Sequence, residues 1–533
     1  MSTLTSSRRP PSAVPDRGTR RGVVLAVLCV SLLLVTLDNT ILNIALPAVV
    51  RALSASDAQL QWIVDAYAVV FGGLLLAAGA LADRVGRRRV FLAGVLIFAA
   101  GSAASAFSTS VGALVGARAV MAVGGACIMP STLSIISDVF REPRERTRAI
   151  GLWSATSGLG IALGPVVGGW LLQHYWWGSV FLVNVPIALL GAAAALWLVP
   201  ESRDPERRPV DVLGAALATS GLTLLLWAVI ETPTRGWHDS TVLGVGAGGL
   251  FVLTVFVVWE RHAKHPLLLF DALRDRRFTV AMSGVAMAVF ALMGTLFVLT
   301  QYLQFDLGYA PFAAGIRVLP VAGLLAVTAA ASSLLDRLVG TKATVGAAMA
   351  LIAGGLFWIA QTGAADRYQQ LLPGMLLLGA GAGLAVAAST ASVIGSLPVE
   401  RAGVGSATNG TALQVGGATG VAVMGSVLAA HYQDRIGAAV AGHGVPASAL
   451  HAITGSLGGA LQVADRAGPL GPALAAAARS AFLDGMTVAM GIAAAVVAAG
   501  LLLVLLALPN RAPKGRGTDG SNGPTRPGGP AAR

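Results

Sequence analysis

The sequence predicts an all-α polytopic membrane protein of 14 transmembrane spans, and three observations carry that expectation. Only 12% of the 533 residues are charged while 55% are hydrophobic, and the mean hydropathy is +0.74. A soluble chain of this length carries about 25% charged residues and divides into several domains. Apolar stretches long enough to cross about 30 Å of hydrocarbon, roughly 20 residues each, recur along the chain. Basic residues sit in short tracts between those stretches, dense in every second connection. This composition excludes a soluble enzyme, a disordered chain and a disulfide-stapled secreted protein. Cys29 and Cys127 lie inside apolar runs and read as reduced, buried thiols. The net charge of +12 does not imply a nucleic-acid partner, because the 34 Arg and 3 Lys mark topology rather than form a basic groove.

The spans are placed near 22–48, 60–82, 90–108, 111–131, 147–172, 178–200, 211–231, 241–259, 278–300, 312–334, 342–361, 370–397, 404–430 and 484–508. An even number puts both termini on one side. With the N-terminus cytoplasmic, the inner segments hold 29 of the 37 basic residues and the outer ones 6, with Arg118 and Arg317 inside spans. The first 21 residues carry five Arg and resemble a signal-peptide n-region. The apolar run that follows is too long for a signal peptide and contains Asp38, so it reads as an uncleaved first span. The expected organisation is a cytoplasmic tail (1–21), a six-helix bundle (22–200), two inserted helices with their loops (201–277) and a second six-helix bundle (278–508). A long extracellular loop spans 431–483, and 509–533, rich in Gly, Pro and Arg, reads as a disordered cytoplasmic tail.

Two internal copies support this division. Asp83-Arg84-Val85-Gly86-Arg87 between spans 2 and 3 is echoed by Asp336-Arg337-Leu338-Val339-Gly340-Thr341-Lys342 between spans 10 and 11. Glu145-Arg146 and Ser154-Ala155-Thr156 entering span 5 are echoed by Glu400-Arg401 and Ser406-Ala407-Thr408 entering span 13. Repeats of this kind build central sites in transporters.

Charged side chains inside hydrocarbon are costly, about 3 to more than 10 kcal/mol, so each needs a reason. Asp38 lies well inside span 1. It is either a proton-exchanging carboxyl or half of a structural ion pair, and the functional reading is favoured because intramembrane acids mark ion pathways. Asp65 on span 2 is a second protonation site, a contact for a cationic substrate, or a solvated cavity residue. Arg118 on span 4 must find an anion or carbonyls, with Asp38 and Asp65 as candidates. Arg317 lies near a span end and can snorkel. Thr36, Asn39, Thr40 and Asn43 form a polar stripe on span 1 that either lines a substrate pathway or bonds neighbouring helices. Gly160, Gly164 and Gly168 stand four apart and form a groove on span 5, and Pro165 bends the helix there. That element suits either a rocking motion or ordinary tight packing. No Gly-x-x-x-x-Gly-Lys-Ser/Thr loop occurs, so ATP is not the expected driver. The seven His are scattered without metal-ligand spacing, and no metal or cofactor is expected.

The chain resembles the major facilitator superfamily, in its 14-span drug:proton antiporter branch. Leu37 to Pro47 is similar to that branch's first-span signature, Gly79 to Arg89 to the superfamily's loop 2–3 motif, and Gly160, Gly164-Pro165 and Gly168-Gly169 to the fifth-span antiporter motif. Phe181-Leu182-Val183-Asn184-Val185-Pro186 is similar to the sixth-span pattern, and Tyr302 to Pro320 to the ninth-to-tenth-span region. Two places depart from the pattern: Met121-Ala122 replaces the usual Gln-Gly after Arg118, and Trp177-Gly178-Ser179 replaces Trp-Arg-Trp before span 6. The resemblance implies the major facilitator fold, two six-helix bundles plus two additional helices. It implies a role for Arg118 in proton transfer or in tuning an acid, which joins it to Asp38 and Asp65 as the proton-coupling candidates, and a latch holding the outward-facing state at Gly79, Asp83, Arg84, Gly86, Arg87 and Arg88, where Asp83 can pair with a base or a helix N-terminus on the neighbouring half. The alternative for those bases is simple anchoring to the inner surface. The function it implies is alternating-access, proton-coupled export of hydrophobic or amphipathic small molecules across the cell membrane, by a monomer in the bilayer with protons and substrate as partners. The alternatives are a dedicated exporter of one metabolite or antibiotic, and a membrane sensor that kept the fold without transporting.

Overall fold

Uniformly apolar stretches leave a backbone in lipid one economical option, the α-helix, in which every N–H and C=O is satisfied within the segment. The structure, a computed structural model, describes residues 17–203, 210–263, 272, 274–363, 368–396, 402–441 and 445–507. Among the described residues there are 14 helices long and apolar enough to cross a membrane, and no strand. Spans 1 to 5 are Arg17–Leu53, Asp57–Val85, Arg87–Ala106, Val111–Val139 and Pro143–His174. Span 6 is a short turn, Ser179–Leu182, followed by Asn184–Leu198, and the inserted spans 7 and 8 are Val212–Arg235 and Ser240–His262. Spans 9 to 14 are Arg276–Gln301, Pro311–Val339, Thr341–Ala360, Tyr368–Gly395, Ala402–Val440 and Gly471–Ala507. Span 9 ends in a π-helical turn, Tyr302–Asp306. The protein is thus a multipass membrane protein with the span order the sequence predicts. The expected tail 509–533 and most of 1–21 lie outside the described residues.

Local sequence sets the helix starts. Ser56 and Gln59 form a reciprocal capping box at span 2. Asp211, Asp239 and Asp275 accept the free amides that open spans 7, 8 and 9. The hinge between spans 2 and 3 is Gly86 at φ +134°, and its counterpart between spans 10 and 11 is Gly340 at φ +84°. Both copies of the repeat therefore turn on a glycine in a region that a side chain strains to enter.

The two copies also pack alike. Span 1 lies in the glycine groove of span 5, where an added Cβ at Gly160 or Gly164 would stand 2.0 Å from Thr36 Oγ1 or Thr40 Oγ1. Span 9 lies in the groove of span 13, where a Cβ at Gly416 or Gly420 would stand 2.3 or 2.2 Å from the carbonyl oxygens of Ala286 and Phe290. Small residues at this spacing let helix backbones touch.

The outer segment differs from expectation. Span 13 runs to Val440 and span 14 begins at Gly471, and between them lie the short helices Ala447–Gly455 and Leu457–Ala464. The Ala-rich composition that made 431–483 look like a loop is also strongly helix-forming.

Candidate functional site

Three chemically distinct features sit along this frame: an ion pair inside the N-terminal half, a polar seam between the halves, and a charged loop at the end that carries the termini.

The ion pair joins spans 1 and 4. Arg118 Nη1 donates to Asp38 Oδ2, and the two side chains are 1% and 0% exposed. Arg118 Nε donates to Ile63 O at 3.2 Å on span 2, and the guanidinium lies 4.5 Å over the Tyr67 ring. The other carboxylate oxygen, Asp38 Oδ1, accepts from Asn184 Nδ2 on span 6 at 3.4 Å. The same amide donates to Ser102 Oγ on span 3 at 3.3 Å, and Ser102 Oγ donates to Phe181 O at 2.7 Å. Spans 1, 2, 3, 4 and 6 therefore converge on one buried charge pair in which each charge is both neutralised and hydrogen-bonded, the condition for holding ions in a low-dielectric interior. Asp38 sits inside the bundle in this conformation, not on a surface shared by the two halves. Asn184, Ser102 and Tyr67 were not singled out from the sequence, although a lone polar residue in the apolar run of span 6 was a signal for Asn184.

Asp65 does not join Arg118. It is fully buried, and both its carboxylate oxygens lack a partner. Its helix face is fixed by its neighbours at i−4, i+3, i+4 and i+7. Ser426 Oγ of span 13 donates to Gln61 Oε1 at 3.1 Å, Ala68 and Val69 pack with Ala418 and Ala422, and Thr411 Oγ1 donates to Gly72 O at 3.2 Å. Asp65 thus faces the seam between spans 2 and 13, where the halves meet.

The polar stripe of span 1 divides. Thr36 and Thr40 fill the span 5 groove, and Thr40 Oγ1 donates to Gly160 O at 3.3 Å, the helix-bonding alternative. Thr40 also borders a crevice lined by Pro165, Leu292, Leu296 and Val318, between spans 1 and 5 of one half and 9 and 10 of the other. Asn39 Nδ2 donates to Val35 O and Asn43 Nδ2 to Asn39 O, leaving Asn43 Oδ1 buried and free. Gly168 is backed by Ile41, while Gly169 closes on Pro311 and Phe312 of the other half, and Gly315 of span 10 closes on Pro165 O.

In the charged loop the pairs that form in this conformation fall within one half. Asp83 pairs with Arg87 Nε at 2.8 Å within its own loop, the i,i+4 neighbour, and Arg87 Nη1 pairs with Asp138 at the end of span 4. Arg88 Nη1 donates to Val199 O at 3.2 Å, and Glu201 lies 3.8 Å from Arg88 Nε and 3.6 Å from Arg89 Nε. Arg84 is exposed, and Gly79 lies against Pro130. The network ties span 2 to spans 3, 4 and 6 of the same half, because the tight turn at Gly86 brings Arg87 at the start of span 3 back against Asp83 at the end of span 2.

Hydrogen bonds join the halves from mid-membrane to the end remote from the termini. Besides the two at Gln61 and Gly72, Gln304 Nε2 of the π-helical turn donates to Ile44 O at 2.9 Å, and Ser456 Oγ donates to Ala55 O at 3.4 Å. Toward the termini the face of span 5 that meets span 10 at Pro165 and Gly169 has room: a Cβ at Gly151 or Gly158 would meet nothing within 4 Å. The hydrogen bonds between the halves seal the molecule at the end remote from the termini. Among the described residues no group of three His, Cys, Asp or Glu could hold a metal.

A family model described as Major Facilitator Superfamily matches residues 28–421. The chain belongs to the major facilitator superfamily. Among its superfamily relatives, the multidrug efflux pump LfrA of Mycolicibacterium smegmatis is 36% identical over 497 residues, 91% of this chain and 96% of that protein. The methyl viologen resistance protein SmvA of Salmonella typhimurium is 32% identical over 497 residues, 92% and 97% of the two chains. The tetracenomycin C resistance and export protein of Streptomyces glaucescens is 35% identical over 421 residues, 78% of each. The fold is shared with a crystal structure of a bacterial homolog of the human lysosomal transporter Spinster, at a TM-score of 0.65 and 19% identity over 94% of this chain and 100% of that one.

Proposed function

We propose that this chain is a proton-coupled exporter of hydrophobic or amphipathic small molecules, including cationic drugs and antibiotics, working by alternating access across the cytoplasmic membrane. The observation that carries the reading is the buried Asp38–Arg118 pair held by Asn184, together with the unpartnered Asp65 at the seam. Intramembrane ionisable groups without a purely structural outlet mark ion pathways. The names of the relatives, a multidrug efflux pump and a methyl viologen resistance protein, support export as the direction and toxic small molecules as the cargo.

The bias of basic residues supports cytoplasmic termini, and on that orientation the sealed end faces outward. Cargo reaches the apolar wall beside Thr40 from the cytoplasm or inner leaflet when the halves part there. A proton arriving at Asp38 neutralises the carboxylate and loosens its hold on Arg118, so the N-terminal half has two internal arrangements that differ by one proton. Asp65, at the junction of the halves, is either a second proton carrier or the contact for a cationic cargo. The test is fluorescence dequenching in everted vesicles with a dye panel that includes ethidium. The parent protein is expected to respond and Asp38→Asn to be inactive, and retained activity in that variant would reject the coupling role. A second reading, a dedicated exporter of one antibiotic, is favoured by the tetracenomycin C and puromycin resistance relatives, and the same panel separates narrow from broad specificity.

A further inference from the structure

Span 2 carries a second polar series outside the Asp38 pair. Asp57, Gln61 and Asp65 are spaced by four residues, so they stack along one face of the helix with Cβ atoms about 5–6 Å apart. The series rises about 12 Å from the sealed end of the molecule into the membrane. All three are buried, at 2%, 0% and 0% exposure. Each keeps a polar atom without a partner: Asp57 Oδ1, Gln61 Nε2, and both oxygens of Asp65. Other unpartnered polar atoms occur in the interior, among them Asn43 Oδ1 and Ser131 Oγ, but here three lie in succession on one helix face.

The neighbours of the series come from span 13 and from the short helices that follow it. The Gln61 amide is seated against Gly425, whose missing side chain leaves room for it, and its Oε1, the atom turned away from the relay, accepts from Ser426 Oγ. At the top, Asp57 follows the cap residue Ser56 and begins the helix at the membrane surface. The titratable group facing it from span 13 is Tyr432, whose hydroxyl donates to Ile453 O at 2.8 Å in the short helix Ala447–Gly455. At the bottom, Asp65 sits level with the contact between Ala68, Val69 and span 13.

We infer that Asp57, Gln61 and Asp65 form the proton entry path from the outer surface to the seam between the halves while the outer side is closed to cargo. The inference rests on the orientation given above and on the first of the two roles named there for Asp65, the proton carrier. Asp57 takes a proton from the external solution and passes it to a short file of waters, the middle one oriented by Gln61 Nε2. Each water accepts one proton as it gives up another, the last gives its proton to a carboxylate oxygen of Asp65, and Asp57 is recharged from outside. An unpaired carboxyl in hydrocarbon is tolerable with its proton on, so arrival at Asp65 also stabilises the sealed seam. Gln61 is a positioning residue, because it holds the relay without itself gaining or losing a proton.

The test uses the full-length protein in everted vesicles, where the outer face lines the acidified lumen. The rate of dequenching on addition of ethidium then reads proton flow inward from that face. Asp57→Asn and Gln61→Leu are each expected to slow the initial rate at least tenfold while leaving ethidium binding in detergent within twofold, and Asp57→Glu is expected to restore the rate. Ser426→Ala removes the bond between the halves but keeps the Gln61 amide, and is expected to keep the rate within twofold. Parent-like rates in both Asp57→Asn and Gln61→Leu, with Asp65→Asn inactive, would overturn the path and leave the role of Asp65 standing. Activity in Asp65→Asn would overturn both. A loss in Ser426→Ala equal to that in Gln61→Leu would make the series a mechanical tether and end the proposal. Should Asp57→Asn fail to reach the membrane, Gln61→Leu and Ser426→Ala decide between these outcomes.

Discussion

Removing one member of the Asp38–Arg118 pair should be far more damaging than removing both. Arg118→Gln leaves the Asp38 carboxylate fully buried with only the 3.4 Å contact from Asn184. It also deletes the bond to Ile63 O and the guanidinium over Tyr67. Breaking a buried pair on one side costs about 3–5 kcal/mol, and the lost cation–π contact adds about 2 kcal/mol in a desolvated site. Asp38→Asn strands the Arg118 charge instead, at a similar cost less the contacts that Arg118 keeps. The double variant Asp38→Asn/Arg118→Gln replaces two charges by two amides of similar shape. It should recover about 2 kcal/mol or more relative to the sum of the single changes, at the upper end of couplings between touching residues. Thermal unfolding in detergent, followed by size-exclusion fluorescence, orders the four proteins. The expected order of melting temperature is parent, then double variant, then Asp38→Asn, then Arg118→Gln. Strict additivity, or a double variant less stable than either single one, would refute the pairing argument. Efflux should be absent in all three variants, so stability and transport separate in the double variant.

Further outcomes follow from the same geometry. Asn184→Ala removes the donor shared by Asp38 and Ser102 and is expected to lower proton-driven dye efflux at least tenfold at parent-like membrane levels; full efflux would show that the amide is incidental. Gly164→Ala drives a methyl group to 2.9 Å from Thr40 Cβ and 3.0 Å from Ile41 N, an overpacking of about 1–3 kcal/mol. It should impair transport, whereas Gly158→Ala, which meets nothing within 4 Å, should be neutral in the same efflux assay. Gly86→Ala combines φ +134° with a Cβ 2.7 Å from Glu201 Oε1, and should destabilise by about 1–3 kcal/mol in a melting experiment.

Much of the architecture was readable because lipid imposes a length rule on apolar runs. Helix ends were less so. Span 2 starts at Asp57, three residues before its apolar run suggested, because Ser56 and Gln59 cap it there. That displacement hid Asp57 from a reading that searched only within spans. The ends of spans 13 and 14 moved outward because Ala-rich sequence such as Ala475-Ala476-Ala477-Ala478 is as good a helix as it is a linker. At the site, the need of Arg118 for an anion was legible, and Asp38 and Asp65 were both eligible. The choice between them depends on how spans 1, 2 and 4 rotate against one another, which pattern does not encode. The same holds for Asn184 and Ser102, whose partners lie about 80 or more residues away along the chain. The partner of Asp83 in this conformation, Arg87, was not legible either, because a motif names residues but not the turn at Gly86 that brings the two together.

The enclosure of Asp38 and Arg118 within one six-helix unit has a consequence for how such proteins diversify. The lining of the crevice draws on Leu292, Leu296 and Val318 of the opposite unit. Changes that resculpt this wall leave the charge pair untouched. On the reading proposed here, a lineage can drift from one class of toxin to another while inheriting its motor intact.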